Sequence, residues 1–202
     1  DTPVMPADRE ELLAYLAALP QQEPLTWIGL GSNLLVRDGG VRGTVIALHR
    51  ALDRLEQVDD ATLHAEAGVH CARLAKLAER AGLAGLGFMA GIPGTVGGAL
   101  AMNAGAWGGE TWPAVREVEV ALAGGETLWL PREKVRHGYR HVEMPAGALG
   151  FLGARFEVTP DEDGAHAAAT RSQLARRKAT QPVGRPSAGS TFRNPPGDFA
   201  AR

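Results

Sequence analysis

Ten glycines fall between Gly82 and Gly109, and the densest run, Gly91-Ile92-Pro93-Gly94-Thr95-Val96-Gly97-Gly98, holds four of them in eight residues. Glycine loses more backbone freedom on folding than any other residue. A chain bears that cost where backbones must pack closely or where a ligand must touch the main chain. The flanks Phe88-Met89-Ala90 and Ala99-Leu100-Ala101-Met102 are apolar, which argues against a loose linker. No Gly-Lys-Ser/Thr follows, so the run is not a Walker A loop. Asn103-Ala104-Gly105 then supplies another turn, with a side-chain amide. The residues alone leave two readings open: a close-packed glycine corner, or a loop that contacts a ligand.

Around this run the pattern predicts an α+β chain. Asp8 followed by Glu11 is a capping-box arrangement, and Leu12, Leu13, Leu16 and Leu19 continue at helical spacing, so a helix is expected from about Asp8 to Leu19. Strands are expected over Leu25–Leu30, Leu34–Val36 and Thr44–Leu48, with turns at Gly31-Ser32-Asn33 and Gly39-Gly40. A second unit begins near Leu55. It holds a strand at Leu63–Ala67, a helix from Val69 to Ala81, and a hairpin of Val115–Leu122 and Glu126–Leu130 about Gly124-Gly125. Phe151–Val158 reads as a further strand, and Ala165–Lys178 as a helix leading into a proline-rich segment.

Composition removes several function classes. The net charge of −2 gives no basic surplus for nucleic acid or an anionic membrane. No apolar run approaches the ~20 residues that span a bilayer, and no secretory leader is visible. A single cysteine, Cys71, rules out an internal disulfide and suits a reducing compartment. No zinc-type ligand spacing occurs. His137 and His141, four apart, lack the neighbouring ligands of a metal helix and read as loop histidines. The chain opens at Asp1 rather than Met and stops at Arg202 just after a Pro-Pro-Gly turn, so it reads as a segment of a longer protein.

Gly31-Ser32-Asn33 follows a strand, and successive N–H groups in such a turn can converge on a phosphate. It is no Rossmann fingerprint, because Leu34 stands where the third glycine belongs. By itself it is more simply a plain turn. Taken together, however, Gly29–Val36, Ala67-Gly68-Val69, Gly82–Ala99 and Met102–Ala106, in this order, resemble the flavin-binding core of the UDP-N-acetylenolpyruvoylglucosamine reductase family. Tyr139-Arg140 resembles that family's catalytic pair, and Gln181-Pro182 with Pro186–Pro195 resembles the segment that carries its serine proton donor. The resemblance runs from about residue 25 to the end.

The resemblance implies an α+β, two-subdomain FAD-binding module (residues 1–54 and 55–160) followed by the start of an α/β substrate-binding domain (161–202). It implies FAD and NADPH as cofactors, and UDP-N-acetylglucosamine enolpyruvate as the substrate reduced to UDP-N-acetylmuramate for peptidoglycan synthesis. A cytoplasmic monomer is expected, with no metal, nucleic-acid or membrane partner. Carried over residue by residue, Arg140 and Ser190 are catalytic, and Tyr139 and Asn194 bind substrate. Gly31, Ser32, Asn33, Gly91, Ile92, Pro93, Gly94, Thr95, Gly97, Gly98, Asn103 and Gly105 contact the cofactor. Ser187, close by but outside the matched position, serves as a control. Lys178 lies near a basic substrate-binding position without aligning cleanly. The family's N-terminal flavin-binding strand and most of its third domain, including a catalytic glutamate, have no counterpart in these residues. The segment alone is therefore expected to hold FAD weakly or not at all and to be inactive. The short path from Tyr139-Arg140 to Ser190 fits the more compact subtype of the family. Two alternatives remain at this stage: another flavin-dependent oxidoreductase on the same module, or a non-catalytic nucleotide-binding remnant.

Overall fold

The computed structural model describes residues 3–20, 22–48, 50–181, 192–195, 197–198 and 200. Its principal elements are α1 (Arg9–Ala18), β1 (Leu25–Ile28), β2 (Thr44–Ala47), β3 (Leu55–Asp59), β4 (Thr62–Glu66), α2 (Cys71–Arg80), α3 (Val96–Met102), β5 (Val115–Leu122), β6 (Thr127–Pro131), β7 (Ala148–Glu157) and α4 (Ala165–Thr180). The α+β expectation holds.

Local chemistry sets the start of α1. Asp8 is its N-cap and accepts a hydrogen bond from the Glu11 N–H at 2.9 Å. The Glu11 carboxylate reaches back one residue further than a standard capping box, to the Ala7 N–H at 2.5 Å. Leu12 and Leu16, one turn apart, are the buried side of the helix. β1 and β2 pair in parallel, Leu25 opposite Thr44 through Ile28 opposite Ala47, and Val4 bridges to Ile46 on the far side of β2.

The second unit is a five-stranded sheet in the order β3-β4-β7-β5-β6, antiparallel at every step. The β5–β6 hairpin turns at Gly124 and Gly125, with φ of 85° and 79°. Gly125 has a second reason to lack a side chain: a Cβ there would lie 2.5 Å from the Leu13 carbonyl oxygen, because α1 packs on this turn. One sheet face carries the main core. Leu63, Ala65, Val118, Val120, Ala154 and Phe156 meet Leu74, Met89, Val96, Leu100 and Trp112. A second cluster of Leu12, Leu16, Ile46, Leu48, Leu52, Ala67, Ala121 and Leu152 joins α1 and β2 to the sheet. Cys71 is fully buried in the main core, and burial pushes its thiol up to about 12.

The structure departs from the sequence reading in four places. Leu34-Leu35-Val36 forms no strand and stands exposed, Leu35 at 92%, since among the described residues no partner strand reaches it. β3 was not anticipated; only the start of the unit at Leu55 was. β7 begins at Ala148, before the expected Phe151. The tail of the glycine run is helical: α3 starts at Val96, with Thr95 as its N-cap. Among the described residues no helix is long and apolar enough to cross a membrane.

Candidate flavin site

The glycine run is laid along the segment that links β4 to α2. The Val96 N–H donates to the Val69 carbonyl (2.8 Å), the Gly97 N–H to the Ala67 carbonyl (2.8 Å), and the Cys71 N–H to the Gly94 carbonyl (3.0 Å). This two-sided lacing explains Gly97. A Cβ on it would sit 2.9 Å from the Ala67 Cβ, so only a residue without a side chain lets the two backbones close. Gly91 is close-packed in the same way: a Cβ on it would lie 2.7 Å from the Ala106 Cβ and 3.1 Å from the Trp107 ring. Ile92 and Thr95 are buried, Pro93 and Gly98 exposed, and Gly94 and Gly97 partly exposed. One edge of the loop is thus core, and the other faces out.

The Gly31-Ser32-Asn33 turn arrives at that outer edge. A Cβ on Gly29 would overlap the Thr95 hydroxyl, and a Cβ on Gly94 would lie 3.4 Å from the Ser32 Oγ. Gly31 adopts φ 68°, and the N–H groups of Gly31, Ser32 and Asn33 take no acceptor among the described residues. Two motifs about sixty positions apart therefore meet, and the turn residues of one of them are exposed.

Arg140 stands on the same neighbourhood. It occupies the second place of a two-residue hairpin turn, between the Gly138↔His141 pair, with φ 53°. Its Nη1 donates to the Asn103 carbonyl (3.1 Å) and its Nη2 to the Gly105 carbonyl (3.2 Å). Ala106, next to Gly105, is the residue against which Gly91 packs. The Arg140 guanidinium also lies 5.3 Å from the centroid of the Tyr139 ring, which is half exposed. Gly105 pairs with Glu110 in a short ladder.

Asn103 is fully buried, and its side chain is engaged within the protein. The amide nitrogen donates to Glu110 Oε2 (3.0 Å) and to the Gly138 carbonyl (2.9 Å), and Oδ1 accepts from the Trp112 N–H (3.0 Å). What Asn103 offers the site is its carbonyl and its left-handed backbone, φ 42°, which ends α3. Asn194 is exposed, and its Oδ1 accepts from the Ala200 N–H at 3.1 Å. Ser190 and Ser187 lie outside the described residues. His137 stacks on the buried Trp112, centroids 5.4 Å apart, and among the described residues no group of three His, Cys, Asp or Glu could hold a metal. The sequence reading missed Glu110 and Trp112, which hold Asn103, and Arg177, whose Nη1 donates to the Gly91 carbonyl at 2.6 Å. Nothing in the sequence separates Arg177 from Arg176 beside it.

A left-handed glycine turn meets a glycine-rich helix entry on this α+β frame, an arrangement that can receive a dinucleotide's diphosphate. Residues 2–131 match the family model described as FAD binding domain. The chain is 52% identical, over 98% of its length, to the UDP-N-acetylenolpyruvoylglucosamine reductase of Methylococcus capsulatus, and 54% identical to that of Alkalilimnicola ehrlichii. It spans 64% and 65% of those relatives' lengths, just under two thirds. The crystal structure of UDP-N-acetylenolpyruvylglucosamine reductase from Thermus caldophilus superposes with a TM-score of 0.78 at 32% identity, covering 97% of this chain and 69% of that one. The chain belongs to the UDP-N-acetylenolpyruvoylglucosamine reductase family.

Proposed function

We propose that this chain is the flavin-binding part, with the start of the substrate-binding part, of a bacterial cytoplasmic enzyme. That enzyme reduces UDP-N-acetylglucosamine enolpyruvate to UDP-N-acetylmuramate with FAD and NADPH, and acts as a monomer. Residues 1–54 and 55–160 form the two halves of the flavin module, and 161–202 open the substrate domain. The observation that carries the reading is the approach of Gly29 and Ser32 to the Thr95–Gly94 edge of a loop whose first residue, Gly91, packs on Ala106, next to the Gly105 carbonyl that Arg140 bonds.

The residues fit the cofactor. The turn offers main-chain donors without partners among the described residues, and the exposed edge of the glycine loop has no side chain at Gly94 or Gly98 to keep a ligand away. Gly31, Ser32, Asn33 and the Gly91–Gly98 loop would hold FAD; Asn103 and Gly105 would support it through their backbones. FAD supplies hydride transfer from NADPH to the enolpyruvyl alkene.

The chain's own work is electrostatic. Arg140 spends two of its five N–H donors on the Asn103 and Gly105 carbonyls, which fix its plane and leave the others for the substrate carboxylate. Negative charge grows toward that carboxylate as the alkene accepts hydride, and a fixed guanidinium stabilises it. Ser190 then donates a proton to the carbon that bears the charge, a general-acid role worth ~10²–10⁴ in rate. Tyr139 and Asn194 contact the substrate.

The test uses the full-length protein that contains this chain. It should be purified yellow, and should oxidise NADPH in a manner dependent on the UDP-sugar. Ser190→Ala should keep NADPH-to-flavin reduction and lose reduction of the enolpyruvyl substrate, while Ser187→Ala should keep both. A flavin-containing protein that ignores the UDP-sugar would point to another oxidoreductase, and binding of neither would sink the reading.

A further inference from the structure

Among the described residues, α4 reaches the glycine loop through a hydrogen bond from one side chain. Among the described residues α4 buries none of its own, so its position rests on discrete contacts. Arg171 pairs with Glu79 of α2 at 2.6 Å, and Thr170 fills the space over Gly87, where a Cβ would overlap its hydroxyl. Arg177, in the last turn, donates from Nη1 to the Gly91 carbonyl at 2.6 Å, and its Nε donates to Gln181 Oε1 at 3.2 Å. Gly91 is the first residue of the glycine loop. A charged donor on a carbonyl makes a hydrogen bond roughly twice as strong as a neutral one. The Gln181 contact, one turn along, fixes the plane of the guanidinium. Arg176, adjacent and exposed, makes no side-chain bond among the described residues.

We propose that Arg177 is a positioning residue: it clamps the Gly91 peptide, and thereby the outward edge of the loop from Gly91 to Thr95, in the conformation that receives the ligand. The clamp links the helix that leads to the Ser190 segment with the loop that holds the cofactor. Its consequence for flavin rests on the assignment of FAD to this loop; its consequence for the loop itself does not.

The experiment compares Arg177→Met, Arg177→Lys and Arg176→Met in the full-length protein. Without flavin, amide hydrogen exchange over residues 92–98 should quicken about tenfold in Arg177→Met, the loss expected for one charge-assisted bond. It should stay unchanged in Arg176→Met. The Kd for FAD should rise about tenfold and the visible flavin band should change shape in Arg177→Met, with partial recovery in Arg177→Lys. Exchange within twofold of the unsubstituted protein would overturn the clamp, as would an equal change in Arg176→Met. Faster exchange with unchanged FAD affinity would overturn the positioning role. If the unsubstituted protein takes no flavin while exchange still quickens, the FAD assignment fails and the clamp stands.

Discussion

The Arg140 guanidinium rests on the Asn103 carbonyl, 3.1 Å from Nη1, at the C-terminal end of α3. That end carries a partial negative charge from unsatisfied carbonyls, which suits a cation. Asn103 can present its carbonyl there because it is left-handed and because Glu110, Gly138 and Trp112 hold its side chain. Arg140 is left-handed too, a conformation that costs a non-glycine residue roughly 1–3 kcal/mol.

With Arg140 on the substrate carboxylate as proposed, this arrangement would separate rate from stability. In the full-length enzyme, Arg140→Gly should lower kcat by about 10²–10³, the loss typical of one group that stabilises a developing anion. Its stability should change by less than about 1 kcal/mol, since lost hydrogen bonds are offset by relief at the left-handed position. Steady-state kinetics and thermal unfolding check both; a rate within tenfold of the parent would remove Arg140 from its role.

Gly97 and Gly98 should respond oppositely to alanine. Gly97→Ala places a methyl 2.9 Å from the Ala67 Cβ and 3.1 Å from its carbonyl oxygen, and overpacking of this kind costs about 1–3 kcal/mol. Gly98→Ala meets nothing nearer than the Thr95 Oγ1 at 3.8 Å, so a helix position gains up to about 1 kcal/mol. The Gly98 methyl stands on the exposed side and should weaken FAD binding. Chemical denaturation and flavin titration of the two variants would show the contrast.

On the outer sheet face Gly153 lies between Glu66 and Glu119, its cross-strand partners. Arg9, the first residue of α1, bonds Glu119 at 2.9 and 2.5 Å and stands 3.7 Å from Glu66. The Glu119 side chain is 5% exposed, so Arg9→Met leaves a buried carboxylate without its partner. Arg9 itself is about a third exposed, which moderates the loss to about 2 kcal/mol in urea unfolding. Glu119→Gln added to Arg9→Met should recover part of that loss.

His64 sits across the strands from Glu56 and Arg155, with Nδ1 3.6 Å from Glu56 and a buried Nε2 that has no hydrogen-bond partner among the described residues. Burial pushes its pKa below the ordinary histidine value, against the pull of Glu66 and Glu56. The unfolded chain takes up this proton near pH 6.5 while the folded chain resists it. Stability is therefore full above that pH and falls as the solution is acidified through the lowered folded value. Urea midpoints measured from pH 7.5 to 5 should fall less steeply in His64→Gln than in the parent; parallel curves would exclude His64 as a source of the slope.

The α1 cap at Asp8, the β5–β6 hairpin at Gly124-Gly125 and the helical run of α4 were legible in the sequence, because capping, turn and periodic signals act between residues a few positions apart. So was the kinship of the glycine segments, because a position that admits no side chain leaves its mark in composition. Leu34–Val36 had the residues of a strand and formed none, since a strand exists only where another pairs with it. Tertiary structure alone decided that Ser32 would lie against Gly94, that the Asn103 amide would turn inward to Glu110 and Gly138, and that Arg177 rather than Arg176 would reach Gly91. Those contacts join residues from 7 to 86 positions apart, and their energies arise only once the core has closed and fixed the distances between elements.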